Sequence, residues 1–127
     1  MTWDLFAMRT PEGAKGIDDL ENYTPQPIAG LEDVKRRLKE LVPDFQFEPE
    51  SAVLKGEQFC LAVGYPESAP ILSLDITVTG RHCEQAAPLV ARIIDAFGIS
   101  ALDTASGRII RKEAELRQSL KDFSHGG

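Results

Sequence analysis

The sequence predicts an α+β domain: a mostly antiparallel sheet of about four strands, two helices packed on one of its faces, and a further amphipathic helix at the C-terminal end. Three observations predict it. Leu72, Leu74, Ile76 and Val78 alternate with Ser73, Asp75, Thr77 and Thr79, the period-two pattern of a strand with one buried and one wet face. Just beyond the joint 80–83, Leu89, Val90, Ile93, Ile94 and Phe97 fall on one side of a helix. The extended segments between residues 45 and 79 are joined by short turns, which favour an antiparallel meander over parallel crossovers.

Each element has its own reason. Residues 3–9 read as a strand with Trp3, Leu5 and Ala7 on one face and Phe6 and Met8 on the other, and a strand apolar on both faces belongs inside a sheet. Residues 10–30 form a long loop with three prolines, three glycines and the acidic group Asp18, Asp19 and Glu21; a loop of that length in a small domain is either functional or partly disordered, and 17–22 fit one helical turn within it. Helix 31–42 presents Leu31, Val34, Leu38, Leu41 and Val42, and Pro43 ends it. Glu32 with Arg36 and Asp33 with Arg37 stand four apart, so Lys35, Arg36 and Arg37 are matched charges and not a binding patch. Residues 45–47 and 52–54 read as short extended pieces. Strand 58–65 carries Phe59, Leu61, Val63 and Tyr65 on one face. The second helix runs from about Glu84 to Phe97, with Pro88 in its first turn and Gly98 as its stop. Residues 99–107 read as a connection with a turn at 104–107. Ile109, Leu116, Leu120 and Phe123 have roughly helical spacing, giving a last helix that packs weakly or projects. Residues 1–107 are thus expected to be one domain and 108–127 an amphipathic helical tail.

At 127 residues the chain is one domain that buries roughly two thirds of its unfolded surface. Its net charge is −6. Residues 1–107 carry 17 acids against 9 bases and the last twenty residues 3 against 5, so an acidic body precedes a mildly basic tail. Binding nucleic acid needs clustered Lys and Arg and is not expected. No apolar run approaches the ~18 residues of a spanning helix, and the N-terminus lacks a basic-then-apolar signal, so a cytoplasmic protein without membrane contact is expected. Cys60 and Cys83 lack metal-ligand spacing and read as reduced thiols, with Cys60 packed inside.

The chemistry-bearing candidates are few. His82 and Cys83 adjoin the start of a helix, where a thiol pKa is lowered, and Arg81 beside them offers an anion contact; together they form a candidate ligand or catalytic corner at 80–84. Adjacent side chains rarely face one another, and a polar turn beside a semi-buried thiol accounts for the same residues. Asp18, Asp19 and Glu21 lack the order of a calcium loop and read as a partner-contacting acidic segment or a solvated loop. No nucleophile elbow, zinc-protease motif or dinucleotide fingerprint is present, so no catalytic residue, cofactor or metal is expected.

Trp3-Asp4-Leu5-Phe6, the strand-to-helix unit 72–97 and Ala101-Leu102-Asp103 with Gly107 resemble small bacterial single-domain proteins of unassigned function. The likeness covers most of the first 110 residues and implies a fold, not a site. In size, acidity and lack of catalytic motifs the chain is also similar to bacterial toxin-immunity proteins, which implies a protein that binds and blocks a partner. The expected function is a non-catalytic protein-binding domain using an acidic surface, including the 10–30 loop, against a basic protein. The alternatives are a small enzyme or ligand-binding domain with its site at 80–84, and a homo-oligomeric subunit associating through residues 108–123.

Overall fold

The alternating sequence at the N-terminus becomes strand β1 (Thr2–Met8), and its place explains its two apolar faces: it pairs on both sides, with β5 (Ser73–Thr79) and with β6 (Ser100–Asp103). The structure, a computed structural model, describes residues 2–10, 13, 16–20, 23, 26–28, 30–66, 71–103 and 107–126. Among them one antiparallel sheet runs in the order β2-β3-β4-β5-β1-β6-β7, with β2 at Gln46–Glu48, β3 at Ser51–Lys55, β4 at Cys60–Gly64 and β7 at Ile109–Ile110. The α+β class and the antiparallel meander β2 to β5 follow the sequence pattern. The strand number does not: seven strands replace about four.

The additional strands have a common cause. Residues 99–107, read as a connection, contain β6, and Ile109, read as helical, lies in β7. Where β6 and β7 meet, Asp103 N–H donates to Arg108 O (2.9 Å) and Gly107 N–H to Asp103 O (2.7 Å), and residues 104–106 of the expected turn lie outside the described residues. β6 is buried on both faces and so does not alternate, and β7 is two residues long; neither gives a periodic signal.

Register assigns every strand residue to a face. Three cross-strand rows carry the core: Leu54, Leu61, Val78 and Trp3; Phe47, Ala52, Val63, Ile76, Leu5 and Asp103; and Leu74, Ala7, Ala101 and Ile110. Helices α1 (Leu31–Leu41), α2 (Ala87–Phe97) and α3 (Glu113–Gly126) supply the other half of that core, through Val34 and Leu38, through Val90, Ile93, Ile94 and Phe97, and through Leu116. Three helices, not two, cover this face. α3 is not a projecting tail, since Leu116 is fully buried and the Ser119 hydroxyl donates to the Asp103 carboxylate. The Leu120 and Phe123 side chains lie outside the described ones.

Trp3 is the core plug expected of it, 1 % exposed, although its indole N–H is buried without an acceptor among the described residues. Such an orphan costs about 1–3 kcal/mol, which the ~150–250 Å² a large aromatic removes from water offsets. α1 ends at Leu41 before Pro43, with Val42 N–H bonded to Leu38 O (2.9 Å). Its charges pair differently from the four-apart expectation. Arg36 meets Asp33 at 3.0 Å, while Arg37 reaches across to α2, donating to Ala96 O (3.3 Å) and lying 5.5 Å from the Phe97 ring centroid. The second helix starts as a 3-10 turn, Cys83–Ala86, and becomes α-helical only at Ala87, with Pro88 harmless in the first turn; Gly98, at φ 61°, ends it with Ile99 N–H bonded to Ile94 O (3.1 Å).

Two substitutions test this packing. Leu116→Ala is expected to cost about 2–5 kcal/mol in urea unfolding followed by Trp3 fluorescence, because α3 belongs to the same cooperative core; a loss under 0.5 kcal/mol (the order of a surface change) would mean that α3 unfolds separately. Gly80 has φ 123°, and a Cβ there would stand 2.8 Å from Gln58 O and 2.9 Å from Phe59 Cα. Gly80→Ala therefore combines left-handed strain with a backbone clash, and a loss of about 3 kcal/mol is expected in the same assay.

Candidate functional site

The 80–84 corner is built by that close backbone approach. Gly80 lets the chain leaving β5 lie against the turn at Gln58 and Phe59, and His82 N–H donates to Gln58 O (3.1 Å). Cys83 then points inward, fully buried, and its thiol donates to Gly80 O at 3.2 Å. Burial, with the Glu84 carboxylate adding, pushes this thiol up from its ordinary value of 9.0. The reading of a thiol activated by a helix N-terminus is thus corrected, since the turn behind Cys83 is four residues long and apolar surroundings favour the neutral thiol; the alternative of a polar turn beside a semi-buried thiol holds for the turn, with the thiol fully buried. Arg81 and His82 are exposed, and the His82 Nδ1 lies 3.6 Å from Glu84 Oε1. Cys60, expected inside, instead stands half-buried on the sheet face that the helices leave open.

That open face is the more coherent surface. Its rows follow from register: Lys55, Cys60, Thr79 and Thr2; Gln46, Val53, Ala62, Thr77 and Asp4; Glu48, Ser51, Gly64, Asp75, Phe6, Leu102 and Ile109; and Ser73, Met8 and Ser100. Between β2 and β1, apart from Gln46, Lys55, Phe6 and Met8, the side chains are small, β-branched or acidic. Asp4, Glu48 and Asp75 are exposed, and Thr77 Oγ1 donates to Asp4 Oδ1 at 2.9 Å. Asp4 and Asp75 are diagonal neighbours, about 7–8 Å apart by strand geometry, and so act within a Debye length as one negative patch. The bases of this face stand at its corners: Lys55 beside Cys60, and Arg111, which donates to Thr10 Oγ1 (3.0 Å), itself bonded to Ser100 Oγ (3.1 Å).

The acidic segment of the long loop joins the same face. A 3-10 turn, Ile17–Leu20, exposes Asp18 and Asp19, with Gly16 N–H donating to Asp19 Oδ2 at 3.3 Å. Leu20 fixes the turn by packing, as Phe6 also does, on the Leu102–Ile109 cluster of the open face, and Gly16 bridges to Arg108 beside β7. Glu21 lies outside the described residues. The structure therefore brings Asp18 and Asp19 to the same side of the sheet as Asp4 and Asp75, and leaves the 80–84 corner at a separate end. Sequence reasoning passed over Asp4 and Asp75, because only the β1–β5 register makes them neighbours.

Two other features are polar but undirected. A groove of ≈ 490 Å³ between α2 and the start of α3 is lined by Arg92, Asp95, Arg111, Lys112 and Glu113, whose charges nearly balance, and it takes in none of the predicted site residues. Asp103, a buried carboxylate, sits on the core face and is held by Ser119 under α3. Among the described residues no cluster of His, Cys, Asp or Glu has the arrangement of a metal site, and no helix is long and apolar enough to cross a membrane. Comparison with protein-family models, with curated proteins and with solved structures finds no match.

The Cys83 shift carries a pH signature. A thiol whose folded pKa is raised contributes stability that is fully present below the unfolded value and is lost as pH rises through the folded one. Cys83→Ala is expected to be less stable than the wild type by about 1 kcal/mol at neutral pH. That deficit should shrink above pH 9.0 in urea unfolding series, because only the wild type loses the buried neutral thiol. A deficit constant with pH would show that the thiol is not held in its neutral form.

Proposed function

We propose that this protein is a non-catalytic protein-binding domain, of the immunity or antitoxin-like kind, whose open sheet face and Asp18–Asp19 turn engage a basic protein partner. One observation carries the reading: Asp4, Glu48 and Asp75 on the bare face and Asp18 and Asp19 beside it gather five exposed carboxylates on one side, while the helices occupy the other. A helix-free antiparallel face of small side chains gives a broad, rigid platform. Asp4 and Asp75 lie within a Debye length of each other, and carboxylates of one sign gathered on one side steer a cationic partner and disfavour wrong ones. The same repulsion disfavours pairing two copies through this face.

The 80–84 corner lends little to a ligand-binding or catalytic reading, because its one nucleophile is buried and bonded to its own backbone. Self-association through 108–123 draws no support from α3, whose Leu116 is already spent on the core.

The test is capture of a partner on the immobilised protein, followed by affinity measurement on the purified pair. Asp75→Lys, and Asp18→Lys with Asp19→Lys, are each expected to weaken binding about tenfold or more at low salt, with wild-type affinity itself falling as salt rises. All these side chains are exposed, so the unfolding free energy should stay within about 0.5 kcal/mol of wild type. Unchanged affinity in both variants would remove this face from the interaction.

A further inference from the structure

The two ends of the sheet are finished differently. At one end β7 is two residues long, and its approach is covered where Gly16 bridges to Arg108. At the other end β2 has no neighbour beyond it among the described residues. Its pairing with β3 closes a two-residue turn between Glu48 and Ser51, so Gln46 and Glu48 make the ladder hydrogen bonds. Phe47, opposite Ala52, is the intervening non-hydrogen-bonded position, and its N–H and C=O face outward with no acceptor or donor among the described residues. The hairpin is rigid. The Tyr65 hydroxyl donates to both Glu48 O (3.2 Å) and Ser51 O (3.1 Å), and Tyr65 N–H donates to Glu50 O (2.9 Å).

The side chains at this edge specify what it accepts. Phe47 is 36 % exposed, one of two large apolar residues so exposed among the described ones, and its ring stands edge-on to Phe45 with centroids 6.4 Å apart. Asp44, Glu48 and Glu50, all exposed, flank it along the chain, Glu48 on the opposite face, without a base on the strand. A second copy docked edge to edge would bring the acidic residues 44, 48 and 50 of two chains together, and like charges across a strand pair are destabilising. An extended segment carrying Lys or Arg at alternate positions meets the carboxylates instead, while its backbone pairs with Phe47 and an apolar side chain covers the ring.

We infer that the β2 edge accepts an extended, basic segment of the partner protein as an added strand centred on Phe47. The basic character of that segment rests on the function proposed above; the unpaired Phe47 backbone does not. The probe is the blocked peptide acetyl-Thr-Lys-Val-Lys-Val-Lys-Thr-amide, with a control in which Glu replaces each Lys. Hydrogen exchange of the Phe47 amide is followed together with backbone amide shifts across the sheet. The Lys peptide is expected to slow Phe47 exchange at least about tenfold at low salt, the Glu peptide to leave it unchanged, and Glu48→Lys to weaken the effect about tenfold. Amide shifts confined to β4, β5 and β1 with Phe47 still exchanging freely would overturn the edge site and leave the open-face reading standing. Protection of Phe47 that grows with protein concentration and needs no peptide would overturn the basic occupant in favour of a second copy. Absence of any response would overturn the edge site, while the charge-reversal variants of Asp18, Asp19 and Asp75 judge the open face separately.

Discussion

The pairing of β1 between β5 and β6 is the constraint on which the molecule depends. The first strand to leave the N-terminus finds its partners some seventy and ninety residues later: Leu5 lies opposite Ile76 on one side and Asp103 on the other. Until both are in place neither face of β1 is committed. A one-residue slip would send Trp3, Leu5 and Ala7 to the open face and Asp4 and Phe6 into the core. Such non-local closure is costly in chain entropy, so it is secured by the largest side chain of the protein, by seven paired residues along β5 and by the crossover helix that returns the chain to β6.

From that register the two sides of the sheet acquire different work. Three helices take one face and close the main core against the sheet, with α1 and α2 tied by Arg37 to Ala96 and Phe97, and α3 tied to the sheet through Ser119 and Asp103. The other face keeps only a small apolar cluster, Phe6, Leu20, Leu102 and Ile109, where the 3-10 turn of the long loop is seated. The 3-10 turn of the long loop thereby becomes part of a surface. Asp18 and Asp19 are presented by an apolar anchor separate from the main core. Surface charge there can change without touching the residues that hold the fold.

How much of this was legible depended on the length of each element. β5 and α2, seven and eleven residues long, have enough periods for alternation or a helical stripe to show, and Gly98 and Pro43 mark helix ends through backbone geometry that is local. β6 and β7 were not legible, since a four-residue strand buried on both faces and a two-residue strand contain no period to read. The thiols were misplaced for a related reason. Cys60 lies in a strand whose other face is the buried one, and Cys83 comes three residues after Gly80, whose positive φ lets the chain approach Gln58 and Phe59 before Cys83 is buried. Of the acidic residues, Asp18 and Asp19 were singled out from their loop, while Asp75 read as an ordinary wet-face position.

The sequence by itself determined what depends on near neighbours: the α+β class, the core face of β5 and α2, the helix stops and the acidic balance. Tertiary structure decided what depends on register between distant strands. It made neighbours of Asp4 and Asp75, seated Leu20 and Phe6 on the Leu102–Ile109 cluster, buried Cys83, and left Phe47 at an edge unpaired among the described residues. The physical reason is that a side chain's period is written in its own strand. Which residue it meets across the sheet is fixed only when chain closure sets the register.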